Sequence, residues 1–569
     1  MLVLQSYEKK YIIFAFEGGV YNLSSIEKAI NNLCKRNKYL AYEEGVFMKK
    51  VIGILLAMIM VVIFAGCNAK TNENATPKVD FSGEKVMPIL KIDTVSTAAN
   101  VMDFAAKPVS EHVSKQIASW TPNYQMPPAP YYEECKITIE DPSGNILLDS
   151  AEAQVKVRGN WTTNYEKKAF RIKFAEKQNL LGLNDGAAMK NWVLLAEYKD
   201  ASMLRDKTAL AIANEILSDD GLYAADAEFV EVYINDEYWG VYLLCEYQQV
   251  SINRVDVFEL QKDYMGTDIG YFLEFDGYYY TENELNQFFV DYNDNAPLVP
   301  FDGRGGNGKT ITCLKTEERP NVNDIGFTIK SDIYCQEQRD FISGFVNGVY
   351  KIMYEAAYND KAYVFSSDYK KVEESNSLTP REAVEAVVDV QSLVDMYIIS
   401  ELTCDADVYW SSFFMSVDFS ADGNKLLTFE APWDFDSAMG NKDRCLSGKG
   451  FYASNIVPDV NGNEYQTCNP WLVVLAYQDW YQDLIKETWT SAYEEGVFER
   501  AYELIIKSKT DLKDAFDRNY QRWDNINHES FIHELSPKAM ACKTYEDACD
   551  FLLVWLRSRV EYLNSQWHL

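Results

Sequence analysis

Hydrophobic and polar residues alternate in short runs between about residues 88 and 275, and Gly, Pro, Asn and Asp residues separate these runs. Alternation of this kind, rich in β-branched and aromatic residues, predicts strands. The predicted strands are PILKID, CKITIED, NILLD, AQVKVRG, AFRIKF, NWVLLAEY, FVEVYIN, GVYLLCEY and GYFLEFD. One helix interrupts them at SMLRDKTALAIANEIL, where Asp200 or Ser202 is the predicted N-cap.

Beyond about residue 330 the apolar residues recur at spacings of three and four, which predicts helices. The helical stretches are RDFISGFVNGVYKIMYEAAY, REAVEAVVDVQSLVDMYIISELT, NPWLVVLAYQDWYQDLIKETW and residues 497–523. The predicted fold class is therefore α+β. We expect a β-rich first part over residues 88–275, a mainly helical second part over residues 276–569, and a cleft between two lobes.

A secretory pattern occupies the amino-terminal region. A short basic start at Met48 precedes the uncharged run VIGILLAMIMVVIFAG and then Cys67. This order predicts a lipoprotein signal peptide over residues 48–67 with Cys67 as the lipidated residue, and a plain transmembrane anchor is the alternative. Both interpretations place the rest of the chain outside the cytoplasm. We interpret residues 1–47 as an artefactual extension and the polar residues 68–87 as a flexible tether.

The net charge of −32 limits the possible partners. So acidic a surface repels nucleic-acid phosphates, which excludes a nucleic-acid-binding protein. If the protein handles a nucleotide, a divalent metal must shield the phosphates from these carboxylates. The eleven cysteines contain no CxxC pair, which argues against a zinc knuckle.

A glycine-rich sequence, GRGGNGKT at residues 303–310, fits the phosphate-binding pattern GxxxxGK[ST]. That motif works only between a buried strand and the amino terminus of a helix. Here two prolines precede it, and a strand-like segment broken by Pro320 follows it. We therefore interpret this sequence as a surface loop.

Two acidic segments lie in the second half. ELTCDADVYWSSFFMSVDF contains Asp405 and Asp407, and LLTFEAPWDFDSAMGN contains Asp434 and Asp436. Phosphoryl transfer requires one Asp that orients the accepting hydroxyl and another that holds the metal on the donor phosphates. Because a buried acidic pair needs a partner cation, these segments predict a metal site; acidic turns at strand ends are the alternative.

Five segments together resemble the CotH family of spore-coat proteins. They are VKVRGNWTTNYEKKAFRIKF, NWVLLAEYKDASMLRDKTALAIANEIL, FVEVYINDEYWGVYLLCEY and the two acidic segments, within roughly residues 88–445. The resemblance implies a divergent, two-lobed protein-kinase-like fold. It also implies transfer of phosphate from ATP, with Mg²⁺ or Mn²⁺, to Ser or Thr of spore-coat or cell-surface proteins.

The resemblance also implies roles for individual residues. Asp407 resembles the catalytic aspartate, and Asp434 resembles the metal-binding aspartate that opens the family's D-F motif. Lys168 shares a strand face with Phe170 and resembles the lysine that reaches the nucleotide phosphates. Lys167, on the opposite face, is the alternative.

Further residues are expected around the nucleotide. Arg158 and Arg205 are cations that bind phosphate or form structural ion pairs. Glu246 and Tyr247 lie where the chain leaves the β-rich part, and we expect them to line the adenine pocket. Glu215 on the embedded helix is the candidate that orients Lys168.

The sequence departs from the kinase pattern at two places. Ser412 stands five residues after Asp407, where kinases keep an Asn for a second metal. Because a serine oxygen is a weaker ligand, either Asp405 or Asp436 substitutes, or one metal alone binds tightly, or activity is low. No GxGxxG loop precedes the lysine strand, and the turn at residues 159–163 is the nearest that could cover phosphates.

Three functions follow from these patterns. The first is an extracytoplasmic ATP-dependent Ser/Thr protein kinase, anchored to the bacterial membrane through lipid. The second is a pseudokinase that acts as a surface or coat assembly module, favoured by Ser412 and by the shortage of ATP outside cells. The third is an adhesin or polysaccharide-binding lipoprotein, indicated only by the aromatic content of 14%.

Overall fold

The structure is a computed structural model. It describes residues 13–16, 19–22, 85–301, 325–442, 447–455, 457–458, 466–526 and 534–569. Strands β1 (Ile13–Phe16) and β2 (Gly19–Asn22) form an antiparallel hairpin in a unit of their own. The predicted signal peptide with Cys67, the tether up to residue 84 and the loop at residues 303–310 lie outside the described residues. Among the helices in the described ranges, none has the length and apolar character needed to cross a membrane.

Seven strands close into a barrel. In spatial order they are β3 (Ile89–Thr94), β4 (Glu133–Glu140), β5 (Ile146–Arg158), β6 (Ala169–Gln178), β7 (Met189–Leu195), β9 (Glu237–Glu246) and β8 (Ala227–Ile234). Neighbouring strands are antiparallel, except that β3 and β8 pair in parallel and complete the ring. Closure leaves no unpaired edge in this sheet.

Side chains alternate along each barrel strand between the packed interior and the outer face of the barrel. Val155 on β5 pairs with Ile172 on β6, and both are fully buried inside the barrel. Their neighbours Lys156 and Arg171 pair on the other face and are half-buried. Because successive side chains point to opposite faces, the outside of the barrel is free to pack on other elements and to line a cleft.

Helix α3 (Arg205–Ser218) is the predicted helix embedded between β7 and β8. The Asp200 carboxylate accepts hydrogen bonds from the backbone N–H groups of Leu204 (3.1 Å) and Arg205 (2.9 Å). The helix begins at Arg205 and Leu204 occupies the N-cap position, so the prediction of Asp200 or Ser202 as the N-cap is wrong. Asp200 nevertheless binds the first N–H groups of the helix, its carboxylate also accepts a hydrogen bond from the hydroxyl of Ser202, and these bonds fix the helix start close to the acidic segments described below.

A second sheet contains five strands in the order β11 (Gln287–Phe288), β12 (Gly326–Ile329), β10 (Gly270–Asp276), β15 (Phe413–Asp418) and β16 (Thr428–Phe429). All its pairings are antiparallel. The strand GYFLEFD, assigned from sequence to the first part, is the central strand β10 of this sheet. It pairs with β15, which lies within the first acidic segment after Asp405 and Asp407, and so it brings that segment to the edge of the cleft.

Helices dominate the second part. The first part also contains helices α1 (Asp103–Ala106) and α2 (Glu111–Trp120). The helices of the second part are α4 (Gln336–Asn359), α5 (Pro380–Glu385), α6 (Val390–Thr403), α7 (Pro470–Val473), α8 (Asp479–Glu494), α9 (Val497–Asp511), α10 (Lys513–Arg522), α11 (Pro537–Ala541) and α12 (Tyr545–Trp567). Short helical turns are Leu183–Gly186, Tyr292–Asn295, Trp161–Asn164, Tyr279–Thr281, Glu284–Asn286 and Phe435–Ser437. Two small hairpins are β13 (Tyr363–Phe365) with β14 (Val372–Glu374) and β17 (Val457–Pro458) with β18 (Gln466–Thr467).

The predicted α+β class, with a β-rich first part and a helical second part, is confirmed. Several predicted boundaries differ, and the stretches NPWLVVLAYQDWYQDLIKETW and 497–523 each form two helices. NILLD and AQVKVRG form the single strand β5, because a bulge opposite Ile139 and a left-handed residue at Ser150 let the pairing continue. The predicted helix from Arg381 to Thr403 is two helices, because Asp389 accepts the N–H of Ser392 and starts α6.

Candidate functional site

A cleft of about 900 Å³ has the outer face of the barrel as one wall and the second sheet as the other. Titratable side chains are unusually dense in it. Besides His112 and four tyrosines, they are Arg158, Lys167, Glu197, Lys199, Asp206, Glu274, Asp276, Glu282, Lys330, Asp407, Asp434, Asp436, Lys442 and Glu534. So many charged groups in a recess are typical of a site for a charged ligand.

Asp407 reaches the cleft from the loop after α6. The helix ends at Cys404, whose φ of 48° turns the chain sharply. The Asp405 carboxylate then accepts the N–H of Asp407 (2.9 Å), and the N–H of Trp410 donates to the Asp407 carbonyl (2.7 Å). Asp405 itself is buried below the surface of the cleft, and burial together with the charge of Asp407 raises its pKa well above the usual value.

Asp434 lines the cleft in a left-handed backbone conformation, with φ 71° and ψ 56°. Non-glycine residues adopt this conformation rarely, so neighbouring contacts must hold it. The next residue, Phe435, donates its N–H to the Asp206 carboxylate at 2.7 Å. Burial raises the pKa of Asp434 well above the usual value, and the charges of Asp436 and Asp407 add to this effect.

Lys199 forms an ion pair with an aspartate of the second acidic segment. Its Nζ lies 2.9 Å from Asp436 and donates to the Ser437 hydroxyl at 2.6 Å. Burial alone would lower the pKa of Lys199, but the charges of Asp436, Tyr165 and Asp407 outweigh burial and raise it well above the usual value. Sequence analysis did not single out Lys199, although it directly follows a predicted strand within a segment that carries the family resemblance.

Lys168, the predicted phosphate-binding lysine, is absent from the cleft lining. Its Nζ donates to the carbonyl oxygens of Thr163 (2.6 Å) and Tyr165 (2.9 Å), so it supports the turn at residues 159–163 from below. Burial lowers the pKa of Lys168 to about 8. A role in supporting that turn fits these contacts better than direct binding of phosphate.

Lys167, the predicted alternative, does line the cleft. Its Nζ donates to the carbonyl oxygens of Ala196 (2.7 Å) and Val241, which ties together β6, β9 and the end of β7. Burial lowers the pKa of Lys167 to about 7, and the nearby Glu197 opposes this shift. Glu215, proposed to orient the lysine, instead forms an ion pair with Arg500 on the surface.

Arg158 and Tyr247 both line the cleft. The Arg158 guanidinium lies 5.7 Å from the centre of the Trp433 ring, next to Asp434 in the chain. Tyr247 follows β9, and the Arg171 guanidinium lies 4.1 Å from the centre of its ring. The two residues place a cation and an aromatic ring in the same recess as the aspartates.

Arg205 and Glu246 do not line the cleft. Arg205 is buried, pairs with Asp200 and donates through Nε to the carbonyl oxygen of Ala438 (3.1 Å). Glu246 is fully buried and accepts hydrogen bonds from Arg254 Nε (2.9 Å) and from a neighbouring asparagine. Both side chains are committed to contacts that hold the fold together.

Ser412 has a carboxylate beside it. Its backbone N–H donates to Glu274 Oε1 (3.2 Å), and Glu274 Oε2 lies 2.9 Å from Lys330 Nζ. Glu274, Lys330 and Ser412 all line the cleft. The signal that could have revealed Glu274 is its position inside the aromatic strand GYFLEFD, where a charged residue has no role in core packing.

The donor atoms in the cleft fit a hard divalent cation. Asp407, Asp434 and Asp436 offer carboxylate oxygens, and their mutual repulsion is part of what raises the pKa of Asp434. Among the residues that the structure describes, no three His, Cys, Asp or Glu side chains already form a metal cage. Mg²⁺ commonly needs one or two carboxylates and completes its shell with water and substrate phosphates. A cleft with several aspartates but no complete protein cage therefore suits Mg²⁺ that binds together with a phosphate ligand.

Fold and cleft together define a class: an α+β protein whose barrel and second sheet enclose paired aspartates and a lysine, the parts used in phosphoryl transfer. A family profile described as CotH kinase protein matches residues 155–563. The chain therefore belongs to the CotH kinase family. No curated protein matches the chain.

Proposed function

We propose that the chain is a metal-dependent protein kinase that transfers the terminal phosphate of ATP to a Ser or Thr hydroxyl. The observation that carries the proposal is the shared cleft: Asp407 and Asp434, from different loops, line it together with Lys199 and Arg158. In the proposed two-lobed arrangement, the barrel with α3 is the first lobe, and the second sheet with the helical part is the second. Membership of the CotH kinase family supports the same reaction.

Each residue has a role in the proposed reaction. Asp407 orients the acceptor hydroxyl and takes its proton while the hydroxyl oxygen bonds to phosphorus and the bond to the ADP oxygen breaks. Lys199 and Arg158 bind phosphate oxygens, and Asp434 and Asp436 hold the cation. A bound Mg²⁺ or Mn²⁺ supplies positive charge that neutralises the phosphate oxygens.

The proposed setting is outside the cytoplasm, with protein substrates on the cell surface or spore coat. The secretory pattern at residues 48–67 and Cys67 support a lipid anchor. The net charge of −32 supports protein rather than nucleic-acid partners. Tyr247, where the chain leaves the barrel, is proposed to border the adenine.

A pseudokinase is the second candidate, and one observation favours it. Ser412 replaces the asparagine that holds a second metal in kinases, and its N–H is bound to Glu274, which is itself paired with Lys330. A second cation at this place must therefore compete with Lys330 for Glu274. In the pseudokinase the cleft binds ATP but transfers no phosphate.

Phosphate transfer from labelled ATP, with Mg²⁺ or Mn²⁺, tests the proposal on the purified chain. We expect label in the chain itself or in added casein, and loss of at least about 100-fold in Asp407→Asn and Asp434→Asn. Asp422→Asn is the matched control, because Asp422 is an exposed carboxylate in a turn beside the second sheet and lies outside the cleft lining. Metal-dependent ATP binding without transfer would select the pseudokinase, and no ATP binding would reject both.

A further inference from the structure

Asp206 lies directly beneath the segment that carries Asp434. It is in the first turn of α3, is 5% exposed, and lines the floor of the cleft. Its Oδ1 accepts the N–H of Phe435 at 2.7 Å. This hydrogen bond links two parts of the chain that are 229 residues apart.

The backbone at Asp434 needs such a link. A left-handed non-glycine residue is conformationally strained, and it persists only where surrounding contacts hold it. The hydrogen bond from Phe435 to Asp206 fixes the peptide group that joins Asp434 to Phe435. The direction of the Asp434 carboxylate depends on the orientation of that peptide group.

The residue next to Asp206 holds the other end of the same segment. Arg205 donates through Nε to the carbonyl oxygen of Ala438 (3.1 Å) and through Nη2 to that of Met439 (3.3 Å). The first two residues of α3 thus bind both ends of residues 435–439. Asp200 accepts the backbone N–H of Arg205 and pairs with its guanidinium, which fixes the position of this helix end.

Asp206 has one further described side-chain contact. The carboxyl of Glu197 is also buried and interacts with Asp206 through a side-chain hydrogen bond. Neither oxygen of Glu197 accepts a hydrogen bond from a donor group among the described residues. A buried carboxylate that receives one backbone N–H from the metal-binding segment is typical of a group that orients a metal ligand from behind.

We propose that Asp206 is a positioning residue that holds the Asp434 carboxylate in its metal-binding direction through the N–H of Phe435. The inference rests on the proposed function, because it assigns Asp206 a part in the proposed metal site. Asp206 binds no metal itself in this scheme. Outer partners of this kind typically change metal affinity 10–100-fold when they are removed.

The test compares three substitutions in the full chain. Asp206→Ala and Asp206→Leu remove the acceptor, the first leaving space and the second filling it, whereas Asp206→Asn keeps an oxygen that can accept the N–H of Phe435. Asp219→Ala is the matched control, because Asp219 is exposed at the other end of the same helix. Mn²⁺ affinity is measured by electron paramagnetic resonance, and amide hydrogen exchange is measured in a peptide spanning residues 431–440.

We expect Mn²⁺ to bind about 10–100-fold more weakly to the Ala and Leu variants, and within about threefold of wild type in the Asn variant and the control. Exchange in residues 431–440 should accelerate in the same two variants only. Unchanged exchange in both of them would overturn the proposal, as would faster exchange with unchanged Mn²⁺ affinity. An Asn variant as weak as the Ala variant would also overturn it.

Failure of the proposed function gives a different result. If the wild-type chain binds no Mn²⁺ with or without ATP, the proposed kinase site is wrong, and the metal role of Asp206 falls with it. The exchange measurement then still shows whether Asp206 holds the Asp434 segment. Because Leu and Ala perturb packing in opposite ways, an effect shared by both and absent in Asn reports the hydrogen bond rather than a cavity.

Discussion

Replacing Arg559 with methionine should destabilise the protein more than any surface substitution, because Arg559 and Glu401 form an ion pair with no exposed side-chain area. Arg559 lies on α12 and Glu401 on α6, just before the loop that carries Asp407. The guanidinium also donates to the carbonyl oxygens of Gly448 (3.2 Å) and Gly450 (2.7 Å). The substitution keeps an unbranched apolar side chain and removes all of these contacts.

The magnitude follows from what Glu401 loses. After Arg559→Met, Glu401 keeps only the backbone N–H groups of Tyr452 (2.5 Å) and Ala453 (2.7 Å) as described partners. Burial already raises the pKa of Glu401 despite the opposing charge of Arg559, so the carboxylate becomes still less favourable without it. Breaking a buried pair in this way costs about 3–5 kcal/mol.

Urea unfolding followed by tryptophan fluorescence measures this change in the free energy of unfolding. Arg557→Met is the matched control: Arg557 lies about one half-turn away on the same helix, is exposed, and its guanidinium lies 5.2 Å from the centre of the Tyr502 ring. We expect the control to lose less than about 1 kcal/mol. The double variant Glu401→Gln with Arg559→Met should lose less than Arg559→Met alone, because it removes the unpaired charge. A loss in Arg559→Met no larger than in the control would refute this reasoning.

Two further predictions concern groups away from the aspartates of the cleft. Burial raises the pKa of Asp395 to about 9, so the folded chain keeps a proton that the unfolded chain releases near pH 4, and stability falls as pH rises between these values. Asp395→Asn should therefore gain about 2–4 kcal/mol at pH 8 and almost nothing at pH 4 by urea unfolding, whereas the exposed Asp483→Asn should show no such trend. The His112 ring on α2 contacts Tyr278 (5.3 Å) and Tyr280 (5.9 Å) across the mouth of the cleft. His112→Ala should speed amide exchange in residues 111–120 about 2–10-fold relative to Ser119→Ala, and equal rates would show that these ring contacts do not hold the helix.

Strand positions were predictable because alternation responds directly to which face of a strand is buried. Val155 and Ile172 show this pattern and pair inside the barrel. Pairing was not predictable, since it depends on contacts between distant segments. Strand β10 has the same aromatic character as the barrel strands, yet it joins β15 in the second sheet. Helix ends were less predictable: α3 begins at Arg205 rather than directly after Asp200 or Ser202, and Asp389 starts a new helix within a continuous apolar pattern.

The lysines show why the site was harder to predict than the fold. Strand phase correctly places Lys168 with Phe170, but in a closed barrel that face is filled by core residues, and the cleft lies on the outer face. Lys167 falls on that outer face for the same reason. Strand alternation says nothing about Lys199, because it lies after the end of β7. Its Nζ donates to the hydroxyl of Ser437, which is 238 residues away in sequence. A charged residue in the short link between a buried strand and the next helix is held near the rim of a sheet. Such positions should be tested first when a cleft must bind phosphate.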